Sequence, residues 1–301
     1  TQQRARTPQR WRRPSVSGAT CGTAKIARPV SDPRLTPANG RVAAEMLRGT
    51  VPADAYVKGA MRQVSVPVAD LLRAPDGPRD RQLLMGETLN VLEDREGWSF
   101  VQADKDGYCG YLQSAQISAI ETTTHWINAP SSHLYEEENF KSRDQDALSF
   151  GTKIAVIEMH ARFAQTSQGY IPRQHLKEIG EVERSPAQIA RLFLGTPYLW
   201  GGNSRFGIDC SGLVQVVLMV CGIDCAGDSD LQEQSLGRTA SGNPKAGDLL
   251  FWKGHVAMLA DTKTLIHANA HHMSVVLEGL DVALARIAAQ GDGDVTRHVR
   301  L

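Results

Sequence analysis

Between residues 62 and 119 apolar and polar positions alternate in short runs separated by turn residues. Gln63-Val64-Ser65-Val66-Pro67-Val68 alternates, and Pro75-Asp76-Gly77-Pro78 turns. Thr88-Leu89-Asn90-Val91-Leu92 alternates again, and Glu96-Gly97 turns into Trp98-Ser99-Phe100-Val101. Lys105-Asp106-Gly107 then leads to Tyr108-Cys109-Gly110-Tyr111-Leu112. A period of two, interrupted this often, predicts short strands closing into a small β-barrel. Residues 122–180 repeat the plan more loosely. Gly151-Thr152-Lys153-Ile154-Ala155-Val156 parallels Gly86-Glu87-Thr88-Leu89-Asn90-Val91, and Gly169-Tyr170-Ile171-Pro172 parallels Gly110-Tyr111-Leu112-Gln113. Two copies predict tandem domains rather than a solenoid, which needs more repeats to bury its faces.

The pattern changes near residue 184. Ser185-Pro186 supplies an N-cap and a proline at the first helical position, predicting a helix Ala187–Leu194 closed by Gly195. A loop Thr196–Asp209 follows, then a helix Cys210–Val220 stopped by Gly222. Strand-like runs come next at Asp248–Trp252, His255–Ala260 and Thr264–Ala268. Helices followed by strands make residues 184–301 an α+β domain. Residues 1–61 form a separate N-terminal segment. Val42–Arg48 carries a short helical pattern ended by Gly49. Residues 1–30 hold Arg4, Arg6, Arg10, Arg12, Arg13, Lys25 and Arg28, three prolines and no acid. That is the composition of a disordered basic arm. It reads as a solvated tail, or as a tether to an anionic surface or a targeting peptide.

Composition narrows the function classes. Lys+Arg and Asp+Glu both number 33, so the zero net charge gives no support for a nucleic-acid partner. No apolar run approaches the roughly 20 residues of a membrane span. The five cysteines are odd in number and scattered, which argues against a disulfide framework and for a reducing compartment. A cytoplasmic setting is therefore expected, with a periplasmic or secreted one as the alternative if a leader was removed. Cys221 and Cys225 lie near His271 and His272 in the kind of grouping that binds zinc. The second close pair that such a site needs is missing. No metal and no cofactor is expected.

Cys210 is the candidate nucleophile. A Gly-rich loop precedes it and an apolar helix follows, which puts the sulfur at a helix N-terminus. There the helix dipole favours thiolate and is expected to lower the thiol pKa. The ordinary fate of a free cysteine is burial as a small apolar residue, but the flanking Asp209 and Ser211 are polar. Thiol hydrolysis also needs a base, a group to orient that base and donors for an oxyanion. His255 and His267 stand on consecutive strand runs joined by Asp261-Thr262-Lys263. Simple pairing about that turn is expected to offset them by about three residues, or roughly 10 Å, so contact calls for a bulge or wider loop.

Thr196-Pro197-Tyr198-Leu199-Trp200-Gly201-Gly202 and Gly207-Ile208-Asp209-Cys210-Ser211-Gly212-Leu213-Val214 resemble the signature of NlpC/P60 cysteine peptidases. Pro244–Phe251 resembles the family's strand leading to its catalytic histidine. His255-Val256-Ala257 and Leu265-Ile266-His267-Ala268 match its second and third triad positions. The resemblance implies a papain-like catalytic domain preceded by two small SH3-like β-barrels, over 62–119 and 122–180. It assigns Cys210 as nucleophile, His255 as base and His267 as orienter. Tyr198 would stand beside the nucleophile and help with the oxyanion.

The layout further resembles γ-D-glutamyl-L-diamino acid endopeptidases that act on freed muropeptides. That group implies a small peptide substrate, L-Ala-γ-D-Glu-diamino acid, with a free N-terminal L-Ala and with neither nucleic acid nor membrane as partner. It implies substrate contacts from Asp209, Ser211, Trp200, Asp228 and Ser229, and from the first barrel through Glu87, Tyr108 or Tyr111. The group commonly has arginine just before the residue matching Asp228; here it is Gly227. Three other readings stay open: a hydrolase of intact cell wall bound through the barrels, a binding module with a vestigial triad, and an acyltransferase on the same scaffold.

Overall fold

The computed structural model describes residues 32–183 and 185–301. The expected basic arm over 1–30, with Cys21, lies outside them. The first β-unit is a seven-stranded sheet. Its strands run, in spatial order, Arg79–Leu84, Val68–Leu72, Cys109–Gln113, Trp98–Ala103, Thr88–Arg95, Ala60–Val64 and Ile117–Ser118. Alternate residues Val64, Ala69, Leu71, Leu83, Leu89, Val101 and Leu112 fill its interior. The run expected to alternate across 63–68 is broken, with one strand ending at Val64 and the next beginning at Val68. Pro67 lies in the gap and has no N–H to give a ladder.

One element here differs from the sequence expectation, and one strand was not anticipated by it. Val42–Ala44 is a strand, paired in parallel with Ala55–Val57, and only Glu45–Leu47 makes a helical turn. Ala44 packs on Leu92, Phe100 and Cys109 of the barrel, a tertiary contact that overrides the local helical pattern. The strand Arg79–Leu84 begins Arg-Asp-Arg-Gln and has no apolar alternation at that end. It is a strand because its outer side is covered by protein. The Asn203 N–H donates to the Gln82 side chain at 3.2 Å, and Gly201 lies so close that a Cβ there would sit 2.6 Å from the Asp80 carbonyl oxygen.

The second β-unit comprises a three-stranded sheet containing His125–Ile127 and a five-stranded sheet containing Ser131–Tyr135. Its glycine Gly151 and the matching Gly86 of the first unit both adopt positive φ, 86° and 79°. The two units touch there, where the Lys153 N–H donates to the Met85 carbonyl at 3.1 Å.

The third unit is α+β. A six-stranded antiparallel sheet runs Arg238–Thr239, Arg297–Arg300, Leu249–Trp252, His255–Leu259, Thr264–Asn269 and Ser274–Gly279. The helix Cys210–Val220 is buried along its first nine residues and packs on one face, against Val256, Met258, Ile266 and Ala268. Such a helix is apolar on nearly every side because every side meets protein. The helix Leu280–Gln290 covers the other face, setting Ala283 and Ile287 on Leu250, Trp252, Ala257, Leu259 and Leu265.

Arg81 joins the first barrel to this third unit. It is only 1% exposed. Its guanidinium donates to the Gly227 carbonyl, to Gln215 Oε1 at 3.1 Å and to Asp228 Oδ1 at 3.2 Å. Gln215 in turn donates to Asp106 of the barrel at 2.8 Å and to the Cys225 carbonyl at 3.0 Å. Removing one member of a buried, hydrogen-bonded charge set leaves the others unpaired, at a cost of about 3–5 kcal/mol. Arg81→Met should therefore lower unfolding stability by about that amount in urea titrations; a change within about 0.5 kcal/mol, the usual size for a surface site, would refute the joining role.

Candidate active site

The loop before Cys210 is held by one carboxylate. Asp209 caps the helix, accepting from the Gly212 N–H at 2.6 Å and from the Ser211 hydroxyl at 3.2 Å through Oδ1. Its Oδ2 accepts from the Gly201 N–H at 2.9 Å. This N-cap fastens the glycine loop to the helix and sets the Cys210 sulfur at the helix start. Backbone N–H groups of Val256, Ser211 and Cys210 all approach the sulfur. Val256 directly follows His255 on the strand His255–Leu259.

The histidine offset is smaller than the sequence reading proposed. Leu259 pairs with Leu265 and Met258 with Ile266. That register, continued, sets Ala257 opposite His267, so the two histidines are two residues apart and on one face. Such diagonal neighbours are within reach of long side chains, and no bulge is needed. His255 Nε2 lies 3.0 Å from His267 Nδ1. His267 is fully buried, and its Nε2 lies 3.0 Å from Glu278 Oε2. Arg286 clamps Glu278 with bonds of 2.8 and 2.7 Å. Sequence reasoning missed Glu278 and Arg286. The faint signal was Ser274-Val275-Val276-Leu277-Glu278, a strand pattern with a lone acid.

A cleft of about 310 Å³ opens over Cys210. Tyr198, Trp200, Asp209, Ser211, Asp228 and Ser229 line it from the third unit. Trp200 stands at its mouth, 69% exposed. Arg73, Asp80 and Tyr108 line it from the first barrel, and Arg34 from the N-terminal segment. Tyr108 donates to Asp228 Oδ2 at 3.2 Å. Arg34, which the sequence reading did not single out, binds Asp228 at 2.6 Å and Asp230 at 2.7 Å.

Two of the three barrel candidates lie elsewhere. Glu87 pairs with Lys105 at 2.8 Å and borders a different cavity, beside Trp126 and Val216. Its charge is spent on that buried pair. Tyr111 stacks near Phe100, with ring centroids 5.1 Å apart, and borders a recess with Arg41 and Trp98. Strand alternation turns it away from the cleft, whereas Tyr108 precedes the strand. At Gly227 a Cβ would stand 2.9 Å from Arg81 Nε, so the buried guanidinium of the barrel occupies the room a side chain there would need. Among the described residues no group of three His, Cys, Asp or Glu side chains could hold a metal ion. Among the same residues no helix is long and apolar enough to cross a membrane.

The electrostatics run against one sequence expectation. Burial pushes the Cys210 thiol up to about 12, and the neighbouring Asp209 charge adds to this, so both outweigh the helix N–H groups that pull the other way. Burial also lowers His255 to about 3 and His267 to about 4. Glu278 is held down at about 2, chiefly by its bonds with Arg286. At neutral pH the resting site therefore contains a neutral thiol and two neutral imidazoles above a fixed carboxylate. A thiol in this state becomes a nucleophile only if a base takes its proton as it attacks.

Residues 195–283 match the model of the NlpC/P60 family, and residues 71–117 match that of the bacterial dipeptidyl-peptidase SH3 domain. The chain is 27% identical over 213 residues to the γ-D-glutamyl-L-lysine dipeptidyl-peptidase of Bacillus subtilis, covering 62% of this chain and 71% of that protein. It is 25% identical over 226 residues to dipeptidyl-peptidase 6 of Lysinibacillus sphaericus, covering 66% and 83%. The crystal structure of an NlpC/P60 family protein from Bacillus cereus superposes with a TM-score of 0.68 at 19% identity, over 80% of this chain and 99% of that one, which shows a shared fold.

Alkylation tests the neutral resting state. With its thiol raised to about 12, Cys210 should react with iodoacetamide at a rate that climbs about tenfold per pH unit from 6 to 9, read by peptide mass spectrometry. A rate already level below pH 7 would mean a preformed thiolate–imidazolium pair.

Proposed function

Because the chain is an NlpC/P60 cysteine peptidase with an SH3 domain in front of its catalytic domain, we propose that it cuts the γ-D-Glu–L-diamino acid bond of short peptides of cell-wall origin that carry a free N-terminal L-Ala. The observation that carries this reading is the shared lining of the Cys210 cleft. Arg73, Asp80 and Tyr108 of the first barrel face the same space as Cys210 and Trp200 of the third unit. A cleft roofed on one side by another domain suits a short peptide end better than the middle of a cross-linked polymer. The relatives' names support the same size of product, since a dipeptidyl-peptidase counts two residues from a free amine.

The chemistry follows from the groups around the sulfur. Cys210 attacks the γ-carbonyl while His255 takes its proton. The oxyanion of the tetrahedral intermediate is held by the Cys210 backbone N–H and the Tyr198 hydroxyl. Tyr198 keeps its proton for this work, because burial and the nearby Cys210 and Asp209 push its pKa well up. Collapse releases the diamino acid, whose amine takes the proton from His255, and leaves a thioester on Cys210. Water, deprotonated by His255, then frees the dipeptide and restores the thiol.

Substrate selection rests on charge. Asp80, Asp228 and Asp230 line the cleft with Asp209, and a buried ammonium needs such carboxylates. Asp228 and Asp230 already pair with Arg34, and Asp80 with Arg73; an ammonium would join these pairs, and an amide-linked L-Ala offers none. A reducing compartment belongs to the same proposal, because Cys210 acts only as a free thiol.

The test is incubation with L-Ala-γ-D-Glu-meso-diaminopimelate, its L-lysine counterpart, the N-acetylated peptides and purified sacculi, with Cys210→Ala as control and products read by mass spectrometry. Release of the diamino acid from the free tripeptides alone is expected. Cleavage of sacculi or of acetylated peptide would favour a hydrolase of intact wall. Tyr108→Phe removes one donor to Asp228 and should raise KM by about tenfold or more with little change in kcat, consistent with a lost hydrogen bond to a charged group of about 1.5–3 kcal/mol.

A further inference from the structure

We infer that Glu278 is a positioning residue that fixes the tautomers of the histidine pair, so that the ring nitrogen of His255 left for Cys210 is an unprotonated base. The inference rests on the reading that His255 serves Cys210, and it concerns a residue outside the Cys-His-His triad.

Two neutral imidazoles in contact have two arrangements. Either His255 donates to His267, or His267 donates to His255. Only the first leaves His255 with a free lone pair on Nδ1. In the second, His255 carries its proton on Nδ1 and cannot accept one from the thiol. The pair alone has no means of choosing, unlike a carboxylate in the third position, which only accepts.

Glu278 makes the choice. An ionised carboxylate only accepts, and Arg286 holds it ionised through two bonds. His267 Nε2, 3.0 Å away, must then carry the proton. A neutral His267 has only a lone pair left on Nδ1. His255 Nε2, 3.0 Å from that atom, must therefore donate. His255 Nδ1 is left bare. His267 is fully buried, so no solvent offers it a different partner. The fold supplies this relay through register. Glu278 pairs with Leu265, and His267 pairs with Val276, so acid and imidazole are diagonal neighbours on one face of adjacent strands. Arg286 comes from the following helix Leu280–Gln290.

Two readouts test it. The first is the 15N spectrum of imidazole-labelled wild-type protein at pH 7, assigned with the His255→Ala and His267→Ala variants. Both rings should carry their proton on Nε2; a proton on His255 Nδ1 overturns the inference. This spectrum needs no substrate, so it stands even if the tripeptides are not cleaved and the proposed function fails. The second readout is Glu278→Gln. Its amide can donate to His267 Nε2 and so permits the wrong arrangement. It should lower kcat by about tenfold or more at unchanged KM, within the range of a disabled general base, and should add a His255 Nδ1–H population to the spectrum. A kcat and a spectrum both like wild type would overturn the inference. If the variant does not fold, the wild-type spectrum decides alone.

Discussion

The charge of Arg81 is buried where the first barrel meets the peptidase domain, and the cleft is arranged around it. A guanidinium cannot shed its charge, so the surrounding protein has to answer it. The answers come from both sides of the junction: the Gly227 carbonyl, Asp228 and Gln215 from the peptidase domain, and Asp106 of the barrel through Gln215. The field of Arg81 also reaches Asp209, the carboxylate that caps the Cys210 helix, and counters part of its desolvation. One residue therefore couples domain docking, the Asp228 wall of the cleft and the loop that presents the nucleophile. The glycine at 227 belongs to this arrangement, since a side chain there would meet the guanidinium.

Burial organises the reacting groups in the same way. It raises the thiol and lowers both imidazoles, so each charged form is disfavoured by its surroundings. A thiol in this state is protected from casual oxidation and alkylation, and it becomes nucleophilic only as its proton leaves. The cost is that, in the proposed mechanism, His255 receives that proton in a dry site. The line from His255 through His267 to the ionised Glu278 gives the new positive charge a partner at its far end. The linkage is clear in sign. The folded pKa values of the histidines lie below the unfolded value of about 6.5. Their neutral burial therefore favours the fold fully above that pH and progressively less as pH falls toward 3–4.

Much of this was legible along the chain. The period-two runs marked the first barrel, the Gly-rich loop before an apolar helix marked Cys210, and the strand-like runs marked His255 and His267. These are local signals, and local propensity with hydrophobic pattern records them directly. The misses share a different cause. Val42–Ala44 reads as helix in isolation, and contact with Leu92 and Phe100 makes it a strand. Arg79–Leu84 was not singled out along the chain, and cover from the peptidase domain makes it a strand with a buried charge. Glu87 and Tyr111 were as good candidates as Tyr108 until strand direction and the pairing with Lys105 separated them.

The chain by itself determined which chemistry is available: a thiol at a helix start, two imidazoles on neighbouring strands, and an SH3-like unit ahead of them. Those features depend on residue type and spacing over a few turns or strands. Tertiary structure alone decided how that chemistry is set. The register of three strands brought Glu278 behind His267, the following helix brought Arg286 to Glu278, and docking of the barrel brought Tyr108, Arg73, Asp80 and Arg81 to the peptidase domain. Burial, rather than the helix dipole, set the state of the thiol. The physical reason is common to all three. Desolvation and charge pairing depend on what lies within a few ångströms in space, and residues distant in sequence supply most of it.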